Sequence, residues 1–152
     1  MAGRKRWSLV VVVIALSFLG AGTVNAFDAD ALAGLTAQGS CRRCDLSKAQ
    51  LANAKLSRAK LAGANLTGAN LTGANLAGAD LTSATLASAI MSRANLRSAF
   101  LAGANASGAN LRGAVLAGAD LTGTDLTGAD LTGATWVDGS TCASGSIGSC
   151  VN

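Results

Sequence analysis

Large apolar residues recur at every fifth position through most of this chain. Stepping by five from Leu46 gives 19 positions that end at Trp136, and 16 of them are leucine. An amphipathic helix repeats every 3.6 residues and a half-buried strand every two, so neither element accounts for this spacing. The pattern predicts a repeat architecture, in which each unit buries its apolar residues only by stacking on its neighbours.

The remaining positions of the five-residue unit are also regular. Alanine stands two residues before the large residue in 17 of the 19 units, and glycine stands two residues after it in 11. We expect the leucine to point to the axis of a squared coil and the alanine to fill the space beside it. The intervening Asn or Asp then faces water, and glycine suits the tight corner that follows.

This register is written out in Ala64-Asn65-Leu66-Thr67-Gly68 and its copies, and from Cys44 to Asp138 it resembles the pentapeptide-repeat family. The resemblance implies an all-β fold, namely a right-handed quadrilateral β-helix with four pentapeptides in each coil. Nineteen units then make nearly five coils.

The segment 1–26 predicts a secretory signal peptide. A basic start (residues 4–6) precedes an apolar run (9–19) and a small-residue exit (24–26), with cleavage expected after Ala26. We therefore expect the chain in the periplasm or outside the cell, or in the thylakoid lumen of a photosynthetic source. No stable membrane insertion is expected after cleavage, because the apolar run is shorter than a membrane span. An uncleaved N-terminal anchor is the alternative.

A stacked column needs covered ends, because an open coil exposes core residues and unpaired edges. Residues 27–43 are predicted to cap the first coil with a short helix, which Asp28 or Asp30 could start and Gly39 could end, followed by a CxxC turn. A flexible leader is the alternative for this segment. The chain thus divides into a signal peptide (1–26), an N-terminal cap (27–43), the β-helix (44–138) and a disulfide-bracketed C-terminal cap (139–152).

Four cysteines in an exported chain indicate disulfides, because the compartment is oxidising. In a column of the implied kind, opposite ends lie too far apart to be bridged, which leaves Cys41–Cys44 and Cys142–Cys150. Both segments are also similar to end motifs of exported pentapeptide-repeat proteins. A thiol–disulfide redox role for Cys41 and Cys44 is the alternative, because CxxC beside positive charge can lower a thiol pKa.

Charge and composition argue against enzymes and nucleic-acid binders. Without the predicted signal peptide, the chain contains nine Lys and Arg and eight Asp and is nearly neutral. This balance gives no electrostatic basis for binding nucleic acid. The chain has no histidine, the usual base near neutral pH, and each end offers only two thiols, so we predict no catalytic residue, metal or cofactor. A gyrase-binding DNA mimic and an ice-binding protein, two functions linked to such rods, fit less well. A DNA mimic is an acidic rod, whereas this chain is nearly neutral without its signal. Ice binding needs a flat array of threonines, whereas Thr67 and Thr127 share a side but stand three coils apart.

One surface departs from an otherwise plain exterior, and we call it the corner surface. It comprises Ile90, Arg93, Arg97, Phe100, Arg112 and Val115. With four units per coil, these residues fall on three successive sides around the third and fourth coils. Arginine with apolar neighbours is typical of interface centres. The sequence therefore predicts a rigid, non-enzymatic interaction or structural module, whose corner surface docks an anionic or mixed apolar–acidic protein partner.

Overall fold

The computed structural model describes residues 34–35 and 38–152. The predicted signal peptide lies outside these residues, as does most of the predicted capping helix. Gly34, Leu35 and Gln38 have helical backbone, so the helix itself stays a prediction. Within the described part of the chain, no helix combines the length and the apolar character that a membrane span requires.

The described chain forms a β-helix in which each coil lies directly on the one before it. From Ser40 onward, one residue in five makes a parallel β-bridge with the equivalent residue of the next coil, as Ser40 does with Lys60. A turn separates each bridge from the next, so every coil has four sides. The five coils comprise residues 40–59, 60–79, 80–99, 100–119 and 120–139.

We number the four sides in chain order by their bridge residues. The first side contains Ser40, Lys60, Asp80, Phe100 and Asp120, and the second contains Asp45, Asn65, Thr85, Asn105 and Asp125. The third side contains Gln50, Asn70, Ile90, Asn110 and Asp130, and the fourth contains Lys55, Asn75, Asn95, Val115 and Thr135.

Each pentapeptide is held by one turn within its coil and by bonds to the next coil. In the unit around Leu66, the Ala69 N–H donates to the Leu66 carbonyl at 3.0 Å and closes the turn. The Leu66 N–H donates to the Thr85 carbonyl of the next coil at 2.7 Å, and the Gly68 N–H donates to Ala87 at 2.9 Å. These bonds fix the direction of the Leu66 side chain, which is fully buried on the axis.

The corner residue of each unit adopts a positive φ. Gly68 has φ of +63°, and Ser88 has +55° although serine carries a Cβ. Only the second central residue of the turn is left-handed, as in a type II turn, and this conformation favours glycine. The glycines that recur two residues after each leucine thus suit the backbone of the corner.

The column begins before the first recognisable repeat. Ser40 starts the bridge ladder, ahead of the predicted start at Cys44. Cys41 occupies the inward position that leucine holds elsewhere, and Arg43 takes the left-handed corner with φ of +55°. The segment 39–43 therefore follows the coil path, although it carries neither the alanine nor the leucine of the repeat.

At the other end the chain reverses and covers half of the last coil. After Trp136 it turns back, with Thr135 paired to Thr141 and Asp130 paired to Ile147 in antiparallel bridges. The Gly133 N–H donates to the Cys142 carbonyl at 2.9 Å, so this returning segment closes the fourth and third sides. The structure contains two disulfides, Cys41–Cys44 at the first coil and Cys142–Cys150 in this cap.

Candidate functional site

The repeat distributes the corner surface over three sides of the column. Ile90, Arg93 and Arg112 lie on the third side, Arg97 and Val115 on the fourth, and Phe100 on the first. Their outward direction follows from the register, because none of them stands at the inward leucine or alanine position. The third and fourth coils carry all six residues.

The apolar members of the corner surface are exposed to different degrees. Ile90 exposes 42 % of its surface and Phe100 exposes 53 %, whereas Val115 is half-buried. Large apolar side chains at the outward bridge position are unusual in this chain, where the others are mostly Asn, Asp or Thr. Ile90 and Phe100 each leave apolar carbon open to solvent, but on opposite sides of the column, the third and the first.

A shallow groove of about 590 Å³ gathers two of the arginines on the third side. Its walls contain Arg93 and Arg112, and hydroxyl and amide side chains complete the lining: Thr72, Ser92, Asn110 and Thr132. The backbone holds the two arginines side by side, because the Arg93 N–H donates to the Arg112 carbonyl at 2.9 Å.

Arg112 is partly engaged within the chain. Its Nη1 donates to Asp130 Oδ2 at 3.0 Å, in an ion pair that is open to solvent. The pKa of Asp130 is lowered, first by hydrogen bonding from Thr132 and then by Arg112. Arg93 and Arg97 have no ion pair in the part of the chain that the structure describes. Of the three arginines of the corner surface, they are therefore the two most available to an external anion.

The groove presents hydrogen-bond donors to an anion. Guanidinium groups, hydroxyls and an amide supply donors for carboxylates or phosphates, as bidentate arginine contacts do in many complexes. No group of three or more metal-ligating side chains lies together within residues 34–35 and 38–152. The chain has no histidine, so proton transfer near neutral pH has no ordinary base.

The arginines of the groove were predicted from the sequence, whereas its polar lining was not. Thr72, Ser92 and Thr132 come from three different coils, and each is an ordinary member of its own repeat. A signal was present in the register, because Thr72 and Arg112 are the equivalents of Ser92 in the coils before and after it. Asp130 was missed as the partner of Arg112 because it does not occupy the equivalent position of the next coil.

The Cys41–Cys44 disulfide lies at the start of the column. Cys41 is only 6 % exposed and packs with the core, while Cys44 is half-buried against it. A catalytic dithiol needs an accessible sulfur, so this burial favours a structural role.

Comparisons with known proteins agree with this architecture. The family model for pentapeptide repeats matches residues 40–76, 64–101 and 94–133, with eight copies. A pentapeptide repeat protein from the Arabidopsis thaliana thylakoid lumen is 33 % identical, with a TM-score of 0.63; the match covers 66 % of this chain and 71 % of that one.

Two cyanobacterial structures are also similar in sequence. Alr5209, a pentapeptide repeat protein from Nostoc PCC 7120, is 31 % identical over 68 % of this chain and 78 % of its own, with a TM-score of 0.46. HetL, a pentapeptide repeat protein involved in heterocyst differentiation regulation in Nostoc sp. strain PCC 7120, is 34 % identical with a TM-score of 0.33. That match covers 67 % of this chain and 63 % of HetL. Comparison with curated protein sequences gave no match.

The structural class of this protein is a solenoid of four-sided coils, in which the residue at each described corner has a positive φ. The chain belongs to the pentapeptide repeat family. Its solved relatives imply that the β-helix is right-handed, in agreement with the expectation from the family resemblance.

Proposed function

We propose that this chain is an exported, non-enzymatic interaction module that binds a protein partner through its corner surface. The groove between Arg93 and Arg112 carries the proposal, because it places two guanidinium groups among hydroxyls on an otherwise plain column. Exposed Ile90 on the same side and half-buried Val115 on the adjacent fourth side add apolar area, whereas Phe100 lies on the opposite, first side. A partner with acidic and apolar side chains matches this combination.

Capture by three immobilised forms tests the proposed surface. The site variant carries Arg93→Glu, Arg97→Glu and Arg112→Gln, where glutamine avoids a second carboxylate beside Asp130. The control variant carries Lys55→Glu, Arg58→Glu and Lys60→Gln, which make the same charge change on the first two coils. We expect proteins from the export compartment that bind the wild type and the control but not the site variant. Identical capture by all three forms would contradict the proposal.

A defined probe tests the chemistry without a known partner. A synthetic peptide that alternates Glu and Leu should bind the wild type saturably, and the site variant should lose this binding. The matched peptide with Lys in place of Glu should not bind, because it would face the arginines with like charge. Equal binding of both peptides would contradict an anionic partner.

Export is a separate element of the proposal. Two disulfides and the thylakoid-lumen location of a relative support it, because disulfides persist in oxidising compartments. N-terminal sequencing of the protein recovered from its host should begin at Phe27. A recovered chain that still contains the segment 1–26 would instead support the uncleaved anchor.

A further inference from the structure

Two exposed isoleucines stand in one row along the third side of the column. Ile90 forms a bridge with Asn110 of the next coil. Asn110 pairs in turn with Asp130, and Asp130 pairs with Ile147 of the returning cap. Ile147 exposes 55 % of its surface and is, like Ile90, open to solvent. We call these four residues the third-side row, in which the cap supplies the last apolar side chain.

A positive group lies in this row between the two isoleucines. The Nη1 of Arg112 donates to Asp130 Oδ2 at 3.0 Å, which brings the guanidinium to the row. A guanidinium has five N–H donors, so it can bind a second carboxylate while it holds Asp130. The stem of Arg93 lies over the corner of the fourth coil, where a Cβ at Gly113 would meet its Cγ at 3.7 Å. Arg93 therefore adds a second positive charge beside the row.

The charges between the isoleucines suit a single carboxylate. Arg93 and Arg112 contribute two positive charges and Asp130 one negative charge, so the formal charge there is +1. The Asp130 carboxylate is held in place, because its Oδ1 also accepts the Thr132 N–H at 3.0 Å. An acidic side chain of a partner would offset the remaining positive charge, whereas a basic one would be repelled.

The spacing of the isoleucines selects the conformation of the partner. Three strand spacings separate Ile90 from Ile147, which amounts to about 14 Å. In an extended strand, residues i and i+4 lie on one face about 13–14 Å apart, and residue i+2 lies midway between them on that face. In an α-helix the same distance takes about nine residues, whose side chains then point to opposite faces. An extended segment therefore fits the row better than a helix does.

We propose, on the basis of the proposed function, that the third side binds an extended segment of the protein partner with the pattern apolar-x-acidic-x-apolar. The segment runs along the column axis. Its two apolar side chains cover Ile90 and Ile147, and its acidic side chain binds Arg112 and Arg93 between them. The two intervening residues point away from the column, because side chains alternate along a strand, so their identity is unrestricted.

Binding of matched peptides to the wild-type protein tests the pattern. The first peptide contains Leu-Thr-Glu-Thr-Leu between short serine flanks. The second contains Leu-Glu-Thr-Thr-Leu, which has the same composition but turns the acidic side chain to the other face of the strand. Fluorescence anisotropy of labelled peptides should show the first binding at least about fivefold more tightly than the second. Equal affinity of the two peptides overturns the proposal.

A change of spacing tests the extended conformation. The peptide Leu-Thr-Glu-Thr-Thr-Thr-Leu keeps all three groups on one face but separates its leucines by about 20 Å. It should bind as weakly as Leu-Thr-Glu-Thr-Ser, which has a single leucine, because only one leucine of either peptide reaches an isoleucine. If the longer peptide binds as tightly as Leu-Thr-Glu-Thr-Leu, the row does not select the spacing and the proposal is wrong.

Substitutions at the two ends of the row test the apolar contacts. Ile90→Ser and Ile147→Ser should each weaken binding of Leu-Thr-Glu-Thr-Leu at least about fivefold, because each removes one apolar contact. Phe100→Ser is the matched control, since Phe100 is exposed on the opposite, first side and its loss should leave binding unchanged. Circular dichroism confirms that each variant is folded. Slow amide exchange at Leu131, which donates to Ser146, confirms that the cap stays in place in Ile147→Ser. An equal loss in all three variants, or no loss in either isoleucine variant, contradicts the proposal.

The proposed function and the partner pattern fail in different ways. The peptide that alternates Glu and Leu shows one residue type on each face of a strand, so it offers acidic groups without the pattern. If it binds the wild type and not the arginine site variant, while Leu-Thr-Glu-Thr-Leu and Leu-Glu-Thr-Thr-Leu bind equally, the pattern alone is overturned. If none of these peptides binds the wild type, the proposed function fails together with the pattern.

Discussion

The Asn65 side-chain amide donates to Asp45 Oδ1 at 3.1 Å, which joins the same position of two successive coils. The same carboxylate oxygen accepts the Ser47 N–H at 2.9 Å within its own turn. The pKa of Asp45 is therefore lowered, with the Ser47 backbone hydrogen bond as the largest cause. Four further aspartates have a lowered pKa, in each case first through a hydroxyl two residues later: Asp120, Asp125, Asp130 and Asp138.

These carboxylates predict how stability depends on pH. Because their folded pKa values lie below the unfolded value of 3.8, the folded chain binds fewer protons, and the stabilisation is present above that pH. It is lost as the pH falls through the folded pKa values. The melting temperature should be nearly constant from about pH 5 to 8, since no histidine titrates there, and should fall below about pH 4.

Asparagine replacements provide the control for this pH dependence. Asp120→Asn with Asp125→Asn keeps an oxygen that accepts the hydrogen bonds of Thr122 and Thr127, as asparagine does elsewhere in the repeat. The variant should lose less stability than the wild type on acidification. A wild-type melting temperature that is constant down to about pH 2 would contradict the linkage.

The inward and outward positions of the repeat predict opposite tolerance to charge. Leu76 is fully buried in the second coil, so Leu76→Asp would place a carboxylate without a partner in the core and should unfold the domain. Leu76→Ala leaves a cavity and should lower the free energy of unfolding by about 2–5 kcal/mol. Chemical denaturation followed by circular dichroism measures both.

The neighbouring residue is the matched control. Ala77 lies outside the core, half-buried at the turn, so Ala77→Asp should leave the chain folded. Equal loss of structure in Leu76→Asp and Ala77→Asp would contradict the inward and outward assignment.

The repetitive part of this fold could be predicted because one rule fixes every unit. A leucine in phase at every fifth position leaves a single inward direction, and Leu76 and Leu111 obey it although they lie two coils apart. No repeat of this kind predicts the path of the C-terminal cap. The segment after Trp136 occurs once, so its antiparallel return over the third and fourth sides follows from contacts that no period encodes.

The candidate site was predictable to a similar extent. The sides of Ile90, Arg93 and Arg97 follow from counting in fives. The groove depends on how side chains from several coils pack beside one another, which the repeat does not encode. The ion pair between Arg112 and Asp130 joins non-equivalent positions of the fourth and fifth coils. The N–H groups of Leu121 and Gly123 have no acceptor among the described residues, and this follows from the path of the cap rather than from the repeat.

The corners predict a ranking of substitutions at one glycine. Gly68 has φ of +63°, and a Cβ there would meet Lys48 Cγ at 3.7 Å, which is ordinary contact. The cost of substitution therefore comes from the backbone, about 1 kcal/mol for Gly68→Ala and more for Gly68→Val, whose branched side chain rarely adopts this conformation. Gly68→Asn should cost least, because asparagine tolerates left-handed backbone and Asn53 adopts it with φ of +57°.

Urea denaturation of the three Gly68 variants measures this ranking. Ser88→Gly, which places glycine at a corner with φ of +55°, should change the free energy of unfolding by less than Gly68→Val does. If Gly68→Val proved as stable as Gly68→Asn, corner conformation would not be what selects glycine.

The Cys142–Cys150 disulfide holds the returning cap. Cys142 is buried within the cap, and Cys150 closes a short loop with it. Cys142→Ala with Cys150→Ser should destabilise the cap by about 2 kcal/mol, because the bridge restricts only the chain between its two ends. The effect should be local, and amide exchange should accelerate at Leu131 and Gly133, which donate to Ser146 and Cys142 of the cap.

Residues far from the cap provide the comparison. Leu71 and Leu86 donate to the next coil in the middle of the column, so their exchange should stay unchanged in this variant. The corresponding change at the first coil, Cys41→Ala with Cys44→Ser, should leave Leu131 and Gly133 protected, because it lies at the opposite end of the column. Uniform acceleration along the whole column would mean that the cap and the column unfold together. Unchanged exchange at Leu131 would mean that the antiparallel bridges hold the cap without the disulfide.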